Sequence, residues 1–188
     1  MLVPHIMSGQ TVGVLGLGSS GMAAVASLDA AGVTIFAHDD NTPDANLPNG
    51  TIMPWQDWPW SDLDAIVISP GIPHLHPTPH PAAARAAAAH IEIVSEVEIA
   101  LRGAPQAPIV VITGTNGKST TTALVGHCLQ EVGRAVAVGG NIGQAACSLD
   151  DPGPDGVIIL ELSSYQLETT PALSPTIAVV LNITPDHL

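Results

Sequence analysis

The chain has 188 residues, 46% hydrophobic but only 3% aromatic, enough for an aliphatic core in one large or two modest globular domains. Seventeen acidic residues face four basic ones, Arg85, Arg102, Lys118 and Arg134, for a formal net charge of −13. Such a surface repels nucleic-acid phosphates and anionic lipid, which excludes both as partners, and no run reaches the ~20 apolar residues of a bilayer span. The opening MLVPHIMSGQ lacks the basic start and unbroken apolar run of a secretory signal. Cys128 and Cys147 lack paired spacing, so both are expected to be small apolar side chains in a reducing, cytoplasmic setting.

Short β-rich runs alternate with alanine-rich helical stretches. TVGVLGL (11–17) reads as a strand, SGMAAVASLDAAG (20–32) as a helix closed by glycine, and VTIFAHD (33–39) as a second strand. PWQDWPW (54–60) holds all three tryptophans among turn residues, and a loop packed onto its own domain is expected there. DAIVISP (64–70) is a strand stopped by Pro70-Gly71, and PHPAAARAAAAH (79–90) is a strong helix former. IEIVSE (91–96) alternates like a strand before the short helical piece VEIALR. GAPQAP (103–108) has no periodicity and reads as a linker.

A second series then begins: the strand PIVVITG (108–114), a helix over about 117–132, AVAVGG (135–140), VIILELSS (157–164) and TIAVVLNIT (176–184). Strands separated by helices imply parallel sheets and an α/β fold. The expected domains are a Rossmann-like unit at 1–103 and the start of a P-loop unit at 108–188. NITPDHL ends the sequence just after an apolar strand, so the full protein is expected to continue past Leu188.

Two glycine motifs carry chemistry. Gly16-Leu17-Gly18-Ser19-Ser20-Gly21 matches G-x-G-x-x-G between a strand and a helix, where a diphosphate can sit at the positive helix end. Asp39 closes the next strand, at the distance where an acid meets a ribose or sugar hydroxyl. NAD, FAD and a UDP-sugar all satisfy that geometry, as does a glycine turn kept only for packing. Gly114-Thr115-Asn116-Gly117-Lys118-Ser119-Thr120 is the stronger signal, because the chain's single lysine stands where a P-loop needs a cation. Its backbone N–H groups would cradle nucleotide phosphates, Lys118 would neutralise them, and the Ser119 hydroxyl could bind Mg²⁺. The long P-loop pattern wants glycine at 112, where Ile112 stands, so this is a shortened variant.

Glu161 ends the apolar run VIILE, where a buried carboxylate is rationalised either by Mg²⁺ or by hydrogen bonds within the core. Asn182, Asp186 and His187 follow the last strand at a similar place. His74, His76 and His80 crowd the loop HLHPTPH, but proline and the lack of cysteine or acid partners argue against metal there.

Together GLGSSG, SPGIPHLHP, IEIVSEVEIAL, APIVVITGTNGKSTTT, VGGNIG, ELSSYQLE and LNITPDHL resemble the Mur ligase family, over nearly the whole chain and in the family's order. ELSSYQLE and SPGI point to its glutamate-adding branch, with Tyr165 where phenylalanine is commoner; folylpolyglutamate synthase, in the wider family, would lack the first domain. The resemblance implies an ATP-dependent ligase of peptidoglycan precursor synthesis, joining glutamate to UDP-N-acetylmuramoyl-L-alanine through an acyl phosphate. It places Ser19, Ser20, Gly21, Asp39, Asp40 and Gly71 around the UDP moiety, with Asn41 where an arginine can occur. Gly114 to Thr120 would hold ATP, Ser119 and Glu161 one Mg²⁺, His187 a second, and Asn141 would lie near substrate and metal. Lys118, Asn141, Glu161 and His187 are the implied catalytic set. The family's carbamylated lysine and carboxy-terminal domain have no counterpart in the sequence, so this chain is expected to be a non-catalytic part of a monomeric enzyme. The competing readings are an NAD(P)-dependent oxidoreductase, which leaves Lys118 unexplained, and a non-catalytic nucleotide-binding module.

Overall fold

A computed structural model describes residues 1–42, 47 and 49–185. The first sheet is built from β1 (Thr11–Leu15), β2 (Thr34–His38), β3 (Thr51–Ile52), β4 (Ala65–Ile68) and β5 (Glu92–Val94), in the order β3-β2-β1-β4-β5. Every pairing in it is parallel. The helices α1 (Ser19–Ala30), α2 (Pro81–Ala88) and α3 (Glu96–Arg102) connect and cover it. Val12, Val14 and Val67 enter one buried cluster with α1 and α3, whereas Leu15, Ile66 and Ile68 enter another with Ala82, Ala83 and Ala86 of α2. Alternate residues thus bury opposite faces, which is why β1 and β4 read as unbroken apolar runs.

The second sheet holds β6 (Ile109–Thr113), β7 (Val136–Gly140), β8 (Val157–Glu161) and β9 (Ile177–Val180), in the order β7-β8-β6-β9 and again all parallel. Its helices are α4 (Lys118–Glu131) and the short α5 (Ser164–Glu168). The fold is therefore α/β, with a Rossmann-like strand order followed by a P-loop sheet. The cluster around α1 and α3 runs on into Val111, Ile158 and Leu160 of the second sheet and Leu162 just past β8, by way of Ala146, Cys147 and Leu149. Among the described residues no helix is long and apolar enough to cross a membrane.

Local chemistry explains most boundaries, including two departures from the sequence reading. The strand expected over 91–96 stops at Val94, because Ser95 leaves it to cap α3: its hydroxyl accepts the Glu98 N–H at 3.1 Å. Cys147 is buried as expected, but Cys128 is exposed on α4. The tryptophan loop does fold onto its own sheet. Trp58 is 3% exposed and lies against Gly13 of β1, while Trp60 donates from Nε1 to the Trp55 carbonyl and carries the Arg85 guanidinium 4.5 Å above its ring.

Candidate nucleotide and substrate site

Both glycine motifs lie at carboxyl ends of parallel strands, the edge where open α/β sheets bind ligands. The first follows β1 beside β4, on either side of the point where the strand order reverses. Gly21 must be glycine there, since a Cβ would stand 1.9 Å from the Gly16 carbonyl oxygen. Ser69, after β4, donates from Oγ to that same carbonyl at 3.2 Å, and Gly71 is exposed two residues on.

The helix starts differ in a way that bears on function. α2, α3 and α5 are capped by the side chains of His80, Ser95 and Ser163, respectively. α1 and α4, which follow the glycine motifs, begin at Gly18 and Gly117 with no side-chain cap. Among the described residues their first-turn N–H groups have neither intrahelical nor side-chain acceptors, an arrangement that can receive an anion. Ser19, Ser20 and Gly21 open α1, and Lys118, Ser119 and Thr120 open α4.

Asp39 acts on the first loop as a brace. One carboxylate oxygen accepts the Leu17 N–H at 2.6 Å, and the other accepts Asn41 and Thr42 at 2.8 and 2.9 Å. The Leu17 hydrogen bond foremost holds its pKa below the ordinary value. Asp40 bridges two imidazoles, His38 Nε2 at 3.0 Å and His80 Nε2 at 3.1 Å, and the His38 hydrogen bond leads in lowering its pKa. The histidine loop thus has acid partners after all, since His74 Nε2 also lies 3.3 Å from Glu168. These contacts are spread over separate carboxylates, and no group of three metal-binding side chains forms among the described residues. Asp39→Ala, which leaves the part-buried Leu17 N–H without its acceptor and hands two exposed ones to water, is expected to lower stability by about 1 kcal/mol, and Asp39→Asn by less. Urea unfolding checks this; unchanged midpoints would show the brace to be idle.

In the second loop, Gly117 has φ 85°, a left-handed turn that aims the loop into α4. Lys118 folds back, its Nζ donating to the carbonyls of Gly114 and Thr115 at 2.7 and 3.1 Å. Ile112 is 1% exposed within β6, so the strand itself occupies the place of the longer motif's first glycine. Asn182, past the end of β9, accepts the Asn116 N–H and donates to the Asn116 carbonyl, both at 2.9 Å, and its own carbonyl accepts Thr115 N–H at 3.0 Å. It is a strut of the loop, a role its position in the sequence did not disclose. Ser119 is exposed at the head of α4.

Glu161 closes β8, in register with Ile112 on one side and Gly140 on the other. It is 2% exposed. Oε1 accepts the Asn141 amide at 3.1 Å, whereas Oε2 is buried and has no partner among the described residues. An acceptor left so is costly unless a cation joins it. A cleft of about 430 Å³ opens beside the loop, lined by Gly114, Lys118, Ser163, Ser164 and Tyr165. ELSSYQLE supplies three of those residues, although the sequence reading gave them no role. Asp186 and His187 lie outside the described residues.

Residues 112–188 match the family described as the Mur ligase middle domain. Over 96% of its length the chain is 43% identical to a protein of Rhodopseudomonas palustris (strain HaA2) named UDP-N-acetylmuramoylalanine–D-glutamate ligase. Over 100% it is 46% identical to a protein of the same name from Paramagnetospirillum magneticum. Along its whole length the chain is thus similar to members of the Mur ligase family. It spans 40% and 42% of those two relatives' lengths. Among solved structures, the UDP-N-acetylmuramate:L-alanyl-gamma-D-glutamyl-meso-diaminopimelate ligase of Neisseria meningitides superposes with a TM-score of 0.56 at 16% identity, covering 95% of this chain and 62% of that one. A murein peptide ligase of Psychrobacter arcticus gives 0.53 at 17%, covering 95% and 44%. At such identity these two show a shared fold and no more.

Proposed function

We propose that this chain is the UDP-sugar-binding and P-loop part of an ATP-dependent, ADP-forming acid–amino-acid ligase that adds D-glutamate to UDP-N-acetylmuramoyl-L-alanine in the cytoplasm. Residues 1–103 form the substrate unit and 108–188 the start of the nucleotide unit. The carrying observation is the pair of uncapped glycine-led helices at two sheet edges, joined by the buried, half-paired carboxylate of Glu161 beside the second.

The residues fit Mg²⁺ and ATP. Glu161 Oε2 is a buried carboxyl oxygen with no partner among the described residues, hydroxyl-bearing Ser119 opens α4, and Lys118 supplies a cation in the loop. When bound, ATP supplies the phosphoryl group that activates the substrate carboxylate, and Mg²⁺ offsets the charge on it. The glutamate amine then displaces phosphate from the acyl phosphate, giving the amide. This chain's contribution is binding and charge. Gly114 to Thr120 hold the phosphates, Asn141 orients Glu161, and Ser19, Ser20 and Gly21 receive the UDP diphosphate near Asp39, Asp40 and Gly71. The implied role of His187 as a second metal ligand belongs to this proposal as well. The oxidoreductase reading leaves the second glycine loop and Lys118 without a role.

Calorimetric titration separates these readings. Saturable binding of UDP-N-acetylmuramoyl-L-alanine with no heat from NADH is expected, and binding of NADH alone would overturn the ligase assignment.

A further inference from the structure

The segment IEIVSEVEIAL has no part in the site described above, yet Ser95, Glu96 and Glu98 are all buried. Each reaches out of the first sheet's layer. Ser95 donates its N–H to the Thr169 carbonyl at 2.7 Å, and its hydroxyl pairs with that of Thr170, also at 2.7 Å. Glu98 Oε2 accepts the Ala172 N–H at 2.9 Å, while its Oε1 takes Arg102 Nε at 3.0 Å. Glu96 Oε1 accepts the Cys147 N–H, and the Cys147 thiol donates to the Glu96 carbonyl at 3.3 Å.

These anchored residues lead to the two sides of Glu161. From Cys147 the chain runs back to Gln144, whose carbonyl accepts Gly140 N–H, and so to Asn141, which donates its N–H to the Glu161 carbonyl at 2.8 Å and its amide to Oε1. From Thr169 and Thr170, hydroxyl bonds pass to the carbonyls of Tyr165 and Gln166. Gln166 Oε1 then accepts both the N–H and the hydroxyl of Ser163, two residues after Glu161.

We infer that the first turn of α3 is a clasp, in which Glu96 and Ser95 position the Asn141 loop and the 163–172 segment so that Glu161 presents its free oxygen to a nucleotide-bound divalent cation. Glu96 is a positioning residue and touches no ligand. The inference rests on the nucleotide-site reading above. Its test joins hydrogen exchange over 139–147 and 163–172 with calorimetric affinities of the 188-residue chain for metal-free ATP and for Mg·ATP. In Glu96→Ala, exchange over 139–147 is expected to rise, and the gain in ATP affinity on adding Mg²⁺ to fall about tenfold, with metal-free ATP bound as before. Glu96→Gln keeps an oxygen for the Cys147 N–H and is expected to restore both readouts. Unchanged exchange, or an equal Mg²⁺ gain in wild type and Glu96→Ala, overturns the clasp. Should Glu96→Ala not fold, Ser95→Ala carries the same comparison through 163–172. A wild-type chain that binds neither form of ATP sinks the nucleotide site instead, and exchange alone then decides the clasp.

Discussion

Lys118→Ala is expected to lower the affinity of the chain for ATP about 100-fold, the equivalent of roughly 3 kcal/mol, while leaving its helical content unchanged. The size follows from the absence of a substitute cation. Arg85 lies over Trp60, Arg102 is paired with Glu92 and Glu98, and Arg134 donates to the Asp155 carbonyl. With a formal net charge of −13, the rest of the chain opposes a polyphosphate. Among the described lysines and arginines Lys118 alone brings positive charge to the loop, on a side chain the Gly114 and Thr115 carbonyls already hold there. Titration calorimetry with Arg134→Ala as control reads the effect. Equal affinities for wild type and Lys118→Ala would remove the P-loop from nucleotide binding.

The second large effect is on stability. Burial pushes the Glu96 carboxyl from 4.5 up to about 7, against the partial relief of the Cys147 N–H. The facing Cys147 thiol is itself pushed well above its ordinary value, chiefly by burial, and stays neutral. Below pH 4.5 Glu96 is protonated in both folded and unfolded chains and costs nothing. Between pH 4.5 and 7 the unfolded chain releases its proton while the folded chain keeps it, so stability falls as pH rises. Above that window the loss levels off, on the order of 3 kcal/mol. Glu96→Gln carries no such charge and is expected to be more stable than wild type at pH 8 by about that amount, with the gap closing towards pH 4.5. Urea unfolding of both chains across this range checks it. A gap independent of pH would mean that Glu96 is ionised in the fold or reaches water.

Much of the architecture was legible because parallel α/β sheets write themselves plainly into a chain. Strands buried on both faces leave runs such as AIVI and VIIL, glycine-led turns mark where those runs enter helices, and a lone lysine in GTNGKST has few other uses. Boundaries failed where a side chain competes with the backbone, as at Ser95, whose hydroxyl turns the end of an apparent strand into a helix cap. Residue types and spacing therefore determined the two sheets, the two glycine-led helix starts and the candidate nucleotide loop. Only the tertiary structure decided what long-range contacts settle: that Asp39 accepts backbone N–H groups, that Asn182 braces a loop 66 residues earlier, and that one Glu161 oxygen has no partner among the described residues. The same holds for Glu96, whose side chain meets Cys147 51 residues away. Periodicity records which face of a strand or helix is buried, but not which distant polar group it is buried against.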